Sequence, residues 1–385
     1  MRFAWLLSIA AALCCAQQRG NLAREGPYFV ETSTGSIVAP GGKLKIVTSG
    51  AVVARGREGA SGGYTLKQRM KTADRGDAER QFRSFRLRTV NRGLWTVLEV
   101  IGDDDSDVEY DLALALPKNL TSVSLVSHGG AIEAYDLDGS VEADTAAGRI
   151  QLDRIGMNAV ARTGGGAIRV GAVSGMLRCV SGGGAIQVDR TGGEIWCDTA
   201  GGNVSIGEAG GPVHAVTAGN IQIGHAHSSV SARSEGGLIA VNEAGGLVTA
   251  QTAGGSIQVG PSLGVRCESA AGAIRVKGVG GPLRAYTASG SILAELLPGV
   301  QLEESSLNTT MGDITVFIPS NVAVSVRAWN ESNGGRGRIV SEFPEIQIQS
   351  DSGRRGPMKA EGALNGGGPV LRISAAGNIY LRRQK

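Results

Sequence analysis

From about Val123 to Leu296 the chain repeats one short pattern: glycine, any residue, Ile or Val, any residue, an apolar residue. The anchoring positions are Ile132, Ile150, Ile168, Ile186, Val204, Ile221, Ile239, Ile257, Ile274 and Ile292, spaced 17 or 18 residues apart, with a glycine two positions before each. A second apolar column follows two positions after the anchor (Leu152, Val170, Val188, Ile206), and a third precedes it by nine (Val123, Val141, Leu177, Ile195). Seven before the anchor stands a small residue, as at Ala143, Ala161, Cys179 and Cys197. Five before it stands a hydroxyl, as at Ser127, Thr145, Ser181 and Thr199.

Apolar positions alternate with polar ones, which is the period of a strand. Each repeat therefore holds two short strands separated by glycine-rich corners such as Gly182-Gly183-Gly184 and Gly192-Gly193. The fold class that follows is all-β, a single-stranded parallel β-helix (β-solenoid) with coils of about 18 residues and two short strands per coil. Coils stacked at about 4.8 Å give a rod on the order of 50 Å long. One coil cannot offset its own ordering entropy, so the array folds as a whole. Glycine is expected at the corners for its access to positive φ. The stacked hydroxyls can bond up and down the rod.

The flanking segments divide the chain further. Residues 1–16 read as a secretory signal: Arg2, an apolar run to Leu13, then small residues before Gln17. Leu13 before Cys14 is a poor match to a lipidation site, and no later apolar run is long enough to span a bilayer. The mature protein is therefore expected to be exported, to the periplasm, the cell surface or the medium. Residues 22–100 lack the repeat and read as a β-rich N-terminal cap, with a short helix beginning near Asp77 and a hairpin around Asn91-Arg92-Gly93. Repeats occupy 105–318, and 319–385 reads as irregular coils and a cap. Ile314 follows Ile292 by 22 residues, and the phrase returns once more as Gly377-Asn378-Ile379.

Composition agrees with a thin core: 60 glycines in 385 residues and 4% aromatics. The formal charge of +3 excludes little, but 41–100 carries thirteen Lys and Arg against five Asp and Glu. An anionic envelope partner would suit that stretch, as would a solvated strand face; nucleic acid does not suit an exported chain. Asp103-Asp104-Asp105 lacks the glycine and distal glutamate of a calcium loop and reads as a solvated turn.

Candidate chemistry is sparse. Asp144 and Asp198 share an outward column but stand three coils apart, about 14 Å, too far for a glycosidase pair. Trp196 points outward beside Arg178, one coil earlier, where an exposed indole and a guanidinium could hold a sugar ring or simply face solvent. His214, His225 and His227 have no carboxylate or Cys in matching register, so no metal site is expected. The Gly-x-Gly runs belong to the corners and not to a dinucleotide site. No cofactor is expected. Cys179 and Cys197 are one coil apart, with Cα atoms about 4.8 Å apart and within disulfide range. The favoured alternative is that Cys replaces Ala as a small buried residue, because in-register neighbours do not automatically have disulfide Cβ geometry.

The phrase Thr252-Ala253-Gly254-Gly255-Ser256-Ile257-Gln258-Val259 resembles a bacterial family of putative adhesins, a domain of unknown function. So do Gly41-Gly42-Lys43-Leu44-Lys45-Ile46, Gly312-Asp313-Ile314-Thr315-Val316-Phe317-Ile318-Pro319 and Glu361-Gly362-Ala363-Leu364-Asn365-Gly366-Gly367-Gly368. The likeness covers nearly the whole mature chain and implies an exported β-solenoid of the cell envelope without a known catalytic site. It carries over no binding residues. The reading favoured from sequence is a non-enzymatic, adhesin-like solenoid that presents a repetitive surface to an envelope or surface glycan or protein. One alternative is a structural or sensory envelope component that docks a protein through residues 22–100. Another is a polysaccharide-active β-helix enzyme.

Overall fold

The structure, a computed structural model, describes residues 18–102, 107–299, 302–330, 337–350 and 358–384. The expected signal at 1–16 and the acidic run at 103–105 lie outside the described residues. The chain divides into two compact units, 1–164 and 165–385. Each is a β-solenoid with a first stack of strands, which carries the anchors, and a second stack, which carries the hydroxyl column.

In the 165–385 unit the anchors form one file. Ile168 pairs with Ile186, Ile186 with Val204, and the pairing continues through Ile221, Ile239, Ile257, Ile274 and Ile292 to Ile314. Every one of these side chains is at most 1% exposed. The second stack keeps the same order, with Leu177 beside Ile195, Ile195 beside Val213 and Val213 beside Val230. The alternation seen in the sequence is thus the inside and outside of a narrow parallel coil.

The hydroxyl column bonds along the rod through the glycine corners, and most of its hydroxyls clasp two glycine backbones. Ser181 Oγ accepts from the Gly184 N–H of its own corner at 2.9 Å, and Thr199 Oγ1, one coil on, donates to the Gly184 carbonyl at 2.8 Å. Ser269, Gly272 and Thr287 repeat the arrangement at 2.8 and 2.9 Å. These bonds satisfy corner groups that no ladder reaches, at about 1 kcal/mol net each. The same packing explains the glycines, and not through φ. Gly184 and Gly272 lie outside the left-handed region, yet a Cβ on either would stand 2.0 or 1.8 Å from the carbonyl oxygen of the glycine one coil before. Close stacking of corner backbones excludes a side chain there.

In the 1–164 unit the coils are out of sequence order. Residues 43–57, expected within a cap that lacks the repeat, form a coil in register. Leu44, Ile46 and Thr48 lie beside Val123, Leu125 and Ser127, and Val52 lies beside Ile132. On its other side this coil meets Trp95–Ile101 and Val108–Pro117. The chain therefore lays down one coil, leaves it, covers it with a later segment, then steps past it to continue at Ser122. The departing segment makes the antiparallel strand Gly62–Lys71 and the helix Arg75–Ser84, where the Asp74 side chain caps the Gly76 N–H. Ala78 and Phe82 of the helix bury against Phe29, Met70, Phe85 and Val108. Three of the six phenylalanines sit in this cluster and none in the 123–296 repeat, whose interior has no width for a ring. The hairpin forms as expected, Arg86–Arg92 against Trp95–Ile101, with Gly93 at φ +61. Arg86, Arg88 and Arg92 lie along its outer strand, where charge discourages edge-to-edge pairing.

The far end of the other unit uses the same device. The last coil, Val370–Ala375 and Ile379–Arg383, lies between Ser305–Thr309 with Ile314–Ile318 on one side and Val324–Asn330 with Ile339–Ser341 on the other. The antiparallel strand Met358–Leu364 then covers Val324–Asn330 and is itself covered by Gln347–Ser350. In both units a terminal coil is tucked one place inward, so neither of its edges is bare.

Cys179 and Cys197 pair in register and are free, fully buried thiols, so the considered disulfide is not formed. Parallel neighbours project their Cβ atoms in the same direction, about 4.8 Å apart, beyond the mean of about 3.8 Å in a disulfide. A hydrogen bond to Cys197, then burial, holds the Cys179 thiol well above its ordinary range. Burial, with Glu268 adding to it, does the same for Cys267.

Candidate functional site

The outward face of the second stack in the 165–385 unit carries two columns of side chains. One runs Arg178, Trp196, His214, Ser231, Thr249, Arg266, Arg284. The other runs Val180, Asp198, Val216, Arg233, Gln251, Glu268, Tyr286, Asn308. Strand pleating sends both columns outward and spaces their members by one coil, about 4.8 Å.

Trp196 and Arg178, the pair singled out from sequence, do meet, but they are spent on each other and on a third partner. The Arg178 guanidinium carbon stands 5.9 Å from the indole centroid. His214, on the next coil, stacks on the ring at 4.2 Å with an interplanar angle of 21°. The two partners come from opposite neighbouring coils and so cover opposite faces. The indole N–H donates to Glu194 Oε1 at 2.6 Å, and His214 Nε2 lies 3.4 Å from the same oxygen. The indole remains 46% exposed, with a partner toward each face. A sugar ring has no open face on which to stack.

Tyr286 in the other column is also 46% exposed. Among the described residues no ring contact or hydrogen bond engages its side chain. It stands at the end of a fixed polar chain. Arg233 Nη2 donates to Gln251 Oε1 at 2.7 Å, and Gln251 Nε2 donates to Glu268 Oε2 at 3.1 Å. The other Glu268 oxygen takes two bonds from Arg266, at 3.2 and 3.1 Å. Arg233, Gln251, Thr252, Glu268 and Tyr286 line a shallow groove of about 500 Å³. The arrangement offers one free aromatic face and a row of planar donors and acceptors whose orientations are already set.

The histidines have carboxylates in register after all. Glu208, His225 and Glu243 occupy one column. His225 Nδ1 lies 3.1 Å from Glu243, and His227 Nε2 lies 3.2 Å from Glu208. Among the described residues no three His, Cys, Asp or Glu side chains gather as a metal site. The basic charge of the N-terminal segment is partly matched: Lys67 pairs with Glu25, Arg69 with Glu109, Arg75 with Glu79 and Arg80 with Asp77. No described helix is long and apolar enough to cross a membrane.

No known family profile matches the chain, and no curated protein matches it. Among solved structures, a putative cell adhesion protein from Clostridium sporogenes is similar at 8% identity, with 92% of this chain and 100% of that chain covered and a TM-score of 0.18. A putative adhesin from Parabacteroides distasonis is similar at 15% identity, with 74% and 95% covered and a TM-score of 0.26. A putative lipid binding protein from the same organism is similar at 14% identity, with 74% and 97% covered and a TM-score of 0.22. At these identities and scores the roles those names print stay with those proteins.

Proposed function

We propose that the protein is an exported, non-enzymatic binding module that holds a surface or envelope polysaccharide along the outward face of the second stack, with Tyr286 as its platform. The observation that carries this reading is the unengaged Tyr286 ring beside the Arg233–Gln251–Glu268 chain. Sugar rings pair an apolar face with a hydroxyl rim. An aromatic face takes the first, and oriented guanidinium, amide and carboxylate groups take the second. Groups already fixed by one another lose little freedom on binding. Repetition along the stack suits a polymer, since neighbouring coils add contacts at no new translational cost. The apolar leader at 3–13 supports export.

Affinity electrophoresis through gels containing soluble bacterial polysaccharides tests the reading. The wild-type chain is retarded by at least one of them. Tyr286→Ala weakens that retardation at least about tenfold, or ~1.4 kcal/mol, and Tyr286→Phe retains it because the ring and not the hydroxyl carries the contact. Release of new reducing ends from the retarding polysaccharide would contradict the non-enzymatic reading. Indifference to Tyr286→Ala would contradict the site.

A further inference from the structure

Ile292 and Ile314 are 22 residues apart, where the coils from Ile132 to Ile292 take 17 or 18. Insertions in a repeat collect on one face and often build its binding site. Here the longer segment between Ile292–Leu296 and Ser305–Thr309 supplies Gly299, Leu302, Glu303 and Glu304. With residues at 321–323 and 367–369, these line a half-open cavity of about 1070 Å³ against the second stack. That volume is just above the usual range of small-ligand pockets, roughly 300–1,000 Å³.

Its lining joins apolar side chains, among them Leu247, Pro282 and Leu302, to four charged ones. Two of the four are already paired. Arg266 is held by Glu268 at 3.1 Å, and Glu304 by Arg372 at 3.5 Å. The side chains of Arg284 and Glu303 have no hydrogen bond or ion pair among the described residues. The cavity therefore presents one unmatched cation from the stack and one unmatched anion from the inserted segment, with apolar surface in the same lining. A simple anion would face the carboxylates of Glu303 and Glu304, and a simple cation the guanidiniums of Arg266 and Arg284. A molecule bearing both charges around an apolar body meets Arg284, Glu303 and the apolar lining each with its complement.

We propose that this cavity binds a short peptide with free ends and apolar side chains. Its carboxylate lies on the Arg284 fork, its ammonium on Glu303, and its side chains over Leu247 and Pro282. The proposal does not depend on Tyr286 or on polysaccharide binding.

Titration calorimetry of the full mature chain with the tripeptide Leu-Ala-Leu tests it, using the N-acetylated and C-amidated forms as charge-deleted controls. The free peptide is expected to bind, and each capped form at least about tenfold more weakly. Arg284→Gln makes the free and amidated peptides equivalent, and Glu303→Gln makes the free and acetylated peptides equivalent; Tyr286→Ala changes neither. Both substituted positions are exposed, and an unchanged far-ultraviolet spectrum confirms folding. Three results would overturn the assignment: equal binding of free and capped peptides, no heat at millimolar peptide, or binding of lysophosphatidylethanolamine through the same two residues without peptide binding.

Discussion

Trp196 and Tyr286 lie on the same face of the same stack and are equally exposed, at 46%, yet they stand in opposite positions toward a ligand. Trp196 is closed between Arg178 and His214, with its N–H on Glu194. Tyr286 has neither a ring partner nor a hydrogen bond among the described residues. Exposure measures contact with water. Availability depends on whether the in-register neighbours one coil away have already used the group. In a solenoid those neighbours are fixed by the repeat, so a single substitution in a column decides whether an aromatic becomes structure or site.

The largest effects that sharpen this contrast come from the corners beneath the two rings. Gly184→Ala and Gly272→Ala each drive a Cβ into a carbonyl of the preceding coil. Each should cost on the order of 1–3 kcal/mol by overpacking, read by urea denaturation. Gly272 is clasped by Thr287, the neighbour of Tyr286, so Gly272→Ala should also abolish polysaccharide retardation. Gly184 is clasped by Thr199, on the strand of Trp196, so Gly184→Ala should leave retardation intact once folding is confirmed. A smaller effect is expected of Gln251→Ala, which parts Arg233 from Glu268. Loss of one oriented polar group should lower affinity about fivefold, or ~1 kcal/mol, without changing the urea midpoint. The smallest effect on binding is expected of His214→Ala. It removes a ring stack of about 0.5–1.5 kcal/mol, seen as a lower midpoint, with retardation unchanged.

Much of this molecule is legible from spacing because the repeat states the same rule ten times. Anchor, small residue and hydroxyl fall where the columns put them. The reasons behind two columns were not legible. A glycine that avoids a neighbouring backbone looks, in sequence, like one that needs positive φ, and the spacing of the hydroxyls does not say that glycine backbones are their partners. The coil at 43–57 escaped because it stands alone in sequence; Leu44 finds Val123 far along the chain. The metal reading left out the column four positions after the anchor, which holds Glu208, His225 and Glu243. His214 over Trp196 was visible one coil on in the same column as Arg178. Tyr286 was also within reach, since extending the column of Arg233, Gln251 and Glu268 by one more coil arrives at it. The cavity walled by Glu303 and Glu304 was signalled by the 22-residue interval, but which side of the coil the extra residues take is a property of packing and not of spacing.

Titration of wild type, Trp196→Ala and Tyr286→Ala with the same retarding polysaccharide tests the central claim most directly. The account predicts that Tyr286→Ala loses at least about tenfold in affinity with an unchanged melting temperature, while Trp196→Ala melts lower and binds within about twofold of wild type. A larger loss of binding in Trp196→Ala than in Tyr286→Ala would contradict it.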